Sequence, residues 1–103
     1  MNLKWEGDIV HGSYIRFVHT GQSESGKTMI WRVENELDRI FLGSVKWFSK
    51  WRTYAFDAEP DIVFEKTCLR DIAQFCEELT EEHRNRQYVN PTAEIHNQPS
   101  KNP

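Results

Sequence analysis

Long apolar runs are missing from this 103-residue chain. None approaches the roughly 18 residues that a membrane-spanning helix needs. The opening Met1-Asn2-Leu3-Lys4-Trp5-Glu6 has no apolar signal core, so a non-exported, cytoplasmic protein is expected. An excess of positive charge is missing too. Thirteen Lys and Arg stand against sixteen Asp and Glu, net −3, so the overall basic character of a dedicated nucleic-acid binder is absent. Cysteine is scarce. Cys68 and Cys76 fall in one helical segment, about 12 Å apart along the axis at 1.5 Å per residue, which excludes a disulfide and does not match a zinc spacing. His11, His19, His83 and His96 form no ligand pattern. No metal and no cofactor is expected.

What remains is 38% hydrophobic, 13% aromatic and 28% charged, the composition of one small globular domain. The domain is expected over residues 1–89. Asn90 to Pro103 hold three prolines, three asparagines and few apolar groups, and read as a disordered tail.

Between Tyr14 and Asp57 the pattern has period two. Ile15 and Phe17, then Met29, Trp31 and Val33, then Val45 and Trp47, then Tyr54 and Phe56 alternate with their neighbours. Asn35 and Asp38 mark one turn, Ser49-Lys50 another. Four antiparallel strands follow, with a further short edge strand at Gly7-Asp8-Ile9-Val10. After Thr67, read as an N-cap, the period becomes helical. Leu69, Ile72, Ala73, Cys76 and Leu79 share one arc with Phe75 at its edge, and Asp71, Gln74, Glu77, Glu78, Glu81 and Glu82 fill the opposite one. This predicts a helix from about Cys68 to Gln87, with Arg84 and Arg86 at its dipole-favoured end. The fold class is therefore α+β. An antiparallel sheet of three to five strands, able to curl toward a small barrel, is packed by one C-terminal helix. Trp31 and Trp47 should lie between sheet and helix, against Leu69, Ile72 and Cys76.

Gly21-Gln22-Ser23-Glu24-Ser25-Gly26-Lys27-Thr28 has the letters of a phosphate-binding loop, G-x-x-x-x-G-K-T. That mechanism needs a helix whose first amides hold the phosphates. The next residues, Thr28-Met29-Ile30-Trp31-Arg32-Val33, alternate as a strand, so the segment reads as a polar hairpin loop. No Ser-His-Asp or Cys-His set converges. Glu77/Glu81 and Glu78/Glu82 are like-charge pairs on a solvated helix face rather than an acid–base pair. The chain is read as non-enzymatic.

Charge is unevenly spread. Tyr14 to Phe56 carries seven basic and four acidic residues, Asp57 to Glu82 two basic and nine acidic. The sheet reads as mildly basic and the helix as strongly acidic, so the near face can govern an encounter despite the negative total. The densest segment is Lys46-Trp47-Phe48-Ser49-Lys50-Trp51-Arg52-Thr53-Tyr54. Trp47 and Tyr54 belong to the buried face. Phe48 and Trp51 do not, and Trp51 either closes the core over the hairpin end or stands out to stack on bases or anchor a partner.

That segment, with Trp31-Arg32-Val33 and Leu42-Gly43-Ser44-Val45 before it and Cys68-Leu69-Arg70-Asp71-Ile72-Ala73-Gln74-Phe75 after it, resembles a family of small proteins encoded in tailed-phage genomes and prophages. The similarity runs from about Thr28 to Leu79, and the order Lys-Trp-aromatic-x-x-Trp-Arg-x-Tyr is its most specific part. The resemblance implies a phage or mobile-element origin and a non-secreted product, and brings no activity with it.

Two readings of function follow. In the first the protein binds nucleic acid through the open face of its sheet, with Arg16, Arg32, Lys46, Lys50 and Arg52 on phosphates or base edges and Phe48 and Trp51 stacking. In the second, the acidic helix face from Asp71 to Glu82 docks on a basic host protein, an enzyme or defence component.

Overall fold

The computed structural model describes residues 3–88. The chain runs β1 (Lys4–Glu6), β2 (Ile9–His11), β3 (Ile15–Gln22), β4 (Met29–Asn35), β5 (Phe41–Phe48), β6 (Thr53–Ala58) and α1 (Lys66–Tyr88). The strands form one antiparallel meander in the order β1-β2-β3-β4-β5-β6. Six strands replace the expected three to five, and β1 and β6 are separate edges, so the sheet is open and not a barrel. β1 and β2 have three residues each, too few to display a period. The edge strand expected at Gly7–Val10 is in fact a turn at Gly7-Asp8 followed by β2. The tail expected from residue 90 lies outside the described residues.

The four strands read from the alternation are present. Their inward residues make one face: Ile15, Phe17, Trp31, Val33, Val45 and Tyr54 are buried there together with Val10. Phe75 of the helix stacks on Phe17 with ring centroids 4.0 Å apart and takes Trp31 and Trp5 against its other sides. The helix is rotated relative to the expected arc. Phe75, placed at the edge of that arc, is fully buried, while Leu69 and Ala73 lie exposed. Asp71, assigned to the solvent arc, is 1% exposed. Its carboxylate Oδ2 accepts the Ser13 N–H at 2.9 Å, which makes its burial tolerable and ties the helix to the β2–β3 turn.

The helix crosses the face from the β2–β3 turn to the β6 edge. The Thr53 and Thr80 hydroxyl oxygens are 2.9 Å apart, and the Tyr54 N–H donates to Thr80 Oγ1 at 3.0 Å. A helix side chain thereby satisfies an edge amide that the ladder leaves free. Trp31 meets the helix at Phe75. Trp47 meets it further on, at His83, with centroids 4.4 Å apart. The N-cap is Glu65, not Thr67: Glu65 Oε1 accepts the Cys68 N–H at 2.8 Å, and that bond holds its carboxyl below the usual range.

Gly43 is required where β5 passes under Phe56. Its φ is 151°, and a Cβ there would fall 2.5 Å from the Asp57 carbonyl oxygen and 2.7 Å from the Phe56 ring. Phe56 can therefore lie over the strand and turn its other side to Phe64.

Candidate functional site

Residues 49–52 turn β5 into β6. The Trp51 and Arg52 amides both donate to the Phe48 carbonyl, at 3.2 and 2.9 Å. The turn closes with Arg52 at φ 55°, a left-handed conformation that costs a side chain with a Cβ about 1–2 kcal/mol. This geometry swings Trp51 back over Phe48. Their ring centroids are 5.0 Å apart at an interplanar angle of 69°, and Trp51 is 70% and Phe48 42% exposed. Trp51 thus stands on the surface and does not close the core. Below the pair a half-open depression of about 430 Å³ is lined by Lys46, Phe48, Trp51, Ala55, Phe56 and Asp57. Ala55 lies directly opposite Lys46, and its short side chain leaves the floor open.

Lys46 lines this depression, Lys50 and Arg52 are exposed in the turn next to it, and among the described residues no carboxylate lies within ion-pair distance of the three. Arg16 and Arg32 are placed differently. Arg16 is the register partner of Glu34, and Arg32 precedes Glu34 by two on the same face. Glu34 Oε1 lies 3.2 Å from Arg16 Nε, an ion pair without hydrogen-bond geometry, and Arg32 Nε donates to Glu34 Oε2. The Arg32 guanidinium also sits 4.3 Å above the Phe41 ring. The structure therefore brings together Lys46, Phe48, Lys50, Trp51 and Arg52 and sets Arg16 and Arg32 apart, engaged with one shared carboxylate.

Two further residues stand behind the hairpin. His83 packs on Trp47 and Tyr54, and burial, then the charges of Arg86 and Arg52, hold its pKa below the ordinary histidine value. The helix end and the hairpin are neighbours through the sheet, a proximity that sequence order does not signal. At the end that holds the β3–β4 and β5–β6 turns and the helix C-terminus, Lys27, Lys50, Arg52, Arg84 and Arg86 stand with Glu24, Glu81 and Glu82; at the other end Glu36, Asp38, Glu59, Asp61 and Glu65 stand with Arg39 and Lys66, so the first end is the more basic.

The Gly21–Thr28 segment joins antiparallel β3 and β4, and no helix follows it. Its amides are used within the loop: Ser23 N–H donates to Thr28 O, Gly26 N–H to Ser23 O, Lys27 N–H to Ser25 Oγ and Thr28 N–H to Ser23 Oγ. Cys76 is packed against the core, and burial pushes its thiol up to about 11. Among the described residues no group of three or more His, Cys, Asp or Glu could hold a metal ion, and no helix is long and apolar enough to cross a membrane.

No family model and no solved structure matches the chain. An "Uncharacterized 9.3 kDa protein" of Acholeplasma phage L2 is 31% identical over 77 residues, which cover 75% of this chain and 97% of that relative. The chain belongs to this phage protein family. The phage origin inferred from the sequence is supported by that relative, whose name assigns it no activity.

Proposed function

We propose that this phage-family protein is a small non-enzymatic accessory factor that binds nucleic acid through the β5–β6 hairpin. The observation that carries this reading is the exposed Phe48–Trp51 pair in one hairpin with Lys46, Lys50 and Arg52, which have no ion pair among the described residues. Exposed aromatics offer a stacking surface, and cations beside them neutralise the phosphates of whatever stacks. The net charge of −3 is no obstacle, since screening over ~8–10 Å lets the near end of the molecule dominate.

Docking of the acidic helix face on a basic host protein has less support. Asp71 is buried, Glu82 pairs with Arg86 at 3.3 Å, and Glu78 accepts a bond from Gln74. Glu77 and Glu81 are the exposed acids left on that stretch without a described ion pair.

Titration of labelled oligonucleotides at several salt concentrations tests the proposal. Reversing Lys46 and Arg52 to Glu together should abolish binding, whereas Glu77→Gln with Glu81→Gln should leave it equal or slightly tighter. The reverse order, read on a basic host protein, would favour the helix instead. Absence of binding by the unmutated protein at low salt would end the nucleic-acid reading.

A further inference from the structure

We infer that the hairpin takes single-stranded nucleic acid and rejects duplex, holding about two bases against Phe48 and Trp51. This inference rests on the nucleic-acid reading above and specifies its partner.

The first argument is what the rings require. Phe48 and Trp51 meet edge to face at the tip of a turn, so their contact covers only part of the pair and leaves exposed ring surface, most of it on Trp51, for bases to stack on. Bases of a single strand are free to turn onto such rings. Those of a duplex are covered by their neighbours and must be unstacked first, at a cost that one short hairpin offers little to offset.

The second argument is where the free cations are not. A duplex lying on the open face would need positive groups spread along the sheet to follow its two backbones. Inward from the hairpin the cations of that face are already ion-paired among the described residues. Arg16 and Arg32 are taken by Glu34, Lys4 lies 3.4 Å from Glu6, and His11 stands between Glu6 and Glu36. Asp57, on the far rim of the depression, adds another carboxylate. Cations already ion-paired draw a second backbone less than free ones do and Asp57 repels it, so the strand is held at the hairpin, where Lys46, Lys50 and Arg52 lie. A base lodged over Ala55 keeps its phosphates on the tip side, away from Asp57.

The test uses the full chain, a labelled mixed-sequence 12-nucleotide strand and the same strand annealed to its complement, followed by fluorescence anisotropy. The single strand should bind at least about ten-fold more tightly than the duplex. Three cations at about −0.7 each set the slope of log affinity against log salt near −2. Trp51→Phe keeps an aromatic face and should stay within about three-fold, whereas Trp51→Leu should lose about five- to a hundred-fold, the range of one lost stack. Trp51 is largely exposed, so both variants should melt like the parent. Duplex bound as tightly as single strand would overturn this inference and leave the proposed function standing. Equal binding by the Leu and Phe variants would overturn the stacking mode. No binding to either form would overturn both readings.

Discussion

Glu34 stands between Arg16 and Arg32 on the open face of the sheet and is ion-paired to both. Arg16 and Glu34 side chains are each 13% exposed, so removing the carboxylate strands a largely buried guanidinium. Glu34→Gln should cost about 1–3 kcal/mol in urea denaturation, below the 3–5 of a fully buried pair because Arg32 reaches solvent. A loss under about 0.5 kcal/mol would place the trio with ordinary surface pairs.

Gly12 and Asp71 are coupled across the β2–β3 turn. A Cβ on Gly12 would fall 2.6 Å from Asp71 Oδ2, the same oxygen that accepts the Ser13 N–H. Gly12→Ala and Asp71→Ala should each destabilise the protein. With Asp71 truncated, the Gly12 substitution should be cheaper by about 0.5–3 kcal/mol in a double-mutant cycle. Strict additivity would mean that the turn moves aside without disturbing the helix.

The phase of the helix can be read from two truncations. Phe75→Ala removes the ring stacked on Phe17 and should cost about 3–5 kcal/mol, enough to unfold a small domain. Leu69→Ala, on a half-exposed side chain, should cost under about 1 kcal/mol. Chemical denaturation of the pair checks the difference. Equal losses would restore the arc centred on Leu69.

Burial of acids that stay neutral sets the alkaline behaviour. The Cys76 thiol is pushed from an ordinary 9.0 to about 11, chiefly by burial and then by Glu77. The Tyr54 phenol is also raised, by burial in excess of the stabilising bond from the Met29 N–H. Between about pH 9 and 11 the folded chain keeps a proton at Cys76 that the unfolded chain has lost. Stability is therefore full below this window and falls as pH rises through it. Denaturation midpoints across that window should decline, and Cys76→Ala should reduce the decline. A flat profile would mean that the thiol is solvated. Maleimide labelling of native Cys76 at neutral pH should be correspondingly slow.

Arg52 holds a position whose backbone suits glycine. Arg52→Gly relieves a φ of 55° and should raise stability by about 0.5–1 kcal/mol in thermal melts. The same change should weaken oligonucleotide binding. A gain in stability with unchanged binding would remove Arg52 from the proposed site.

Alternation over residues 14–57 and the change to a helical period after Thr67 determined the α+β class, four of the six strands and the C-terminal helix, because hydrophobic periodicity is a local property. The same reasoning separated the G-x-x-x-x-G-K-T letters from a phosphate loop, since a strand pattern follows them. It also set Phe48 and Trp51 apart from Trp47 and Tyr54, while leaving open whether Trp51 closes the core. Three-residue strands such as β1 and β2 carry too little period to be seen. Tertiary structure alone decided the rest. Asp71 is buried because a turn some sixty residues earlier supplies an amide for it, and Thr80 because an edge strand needs its hydroxyl. Arg16 and Arg32 looked as available as Lys46 and Arg52, because a list of charges does not say which cation faces a carboxylate across a ladder. Register made that choice: it set Glu34 opposite Arg16 and beside Arg32, and among the described residues it set no carboxylate within ion-pair distance of the cations of the β5–β6 hairpin.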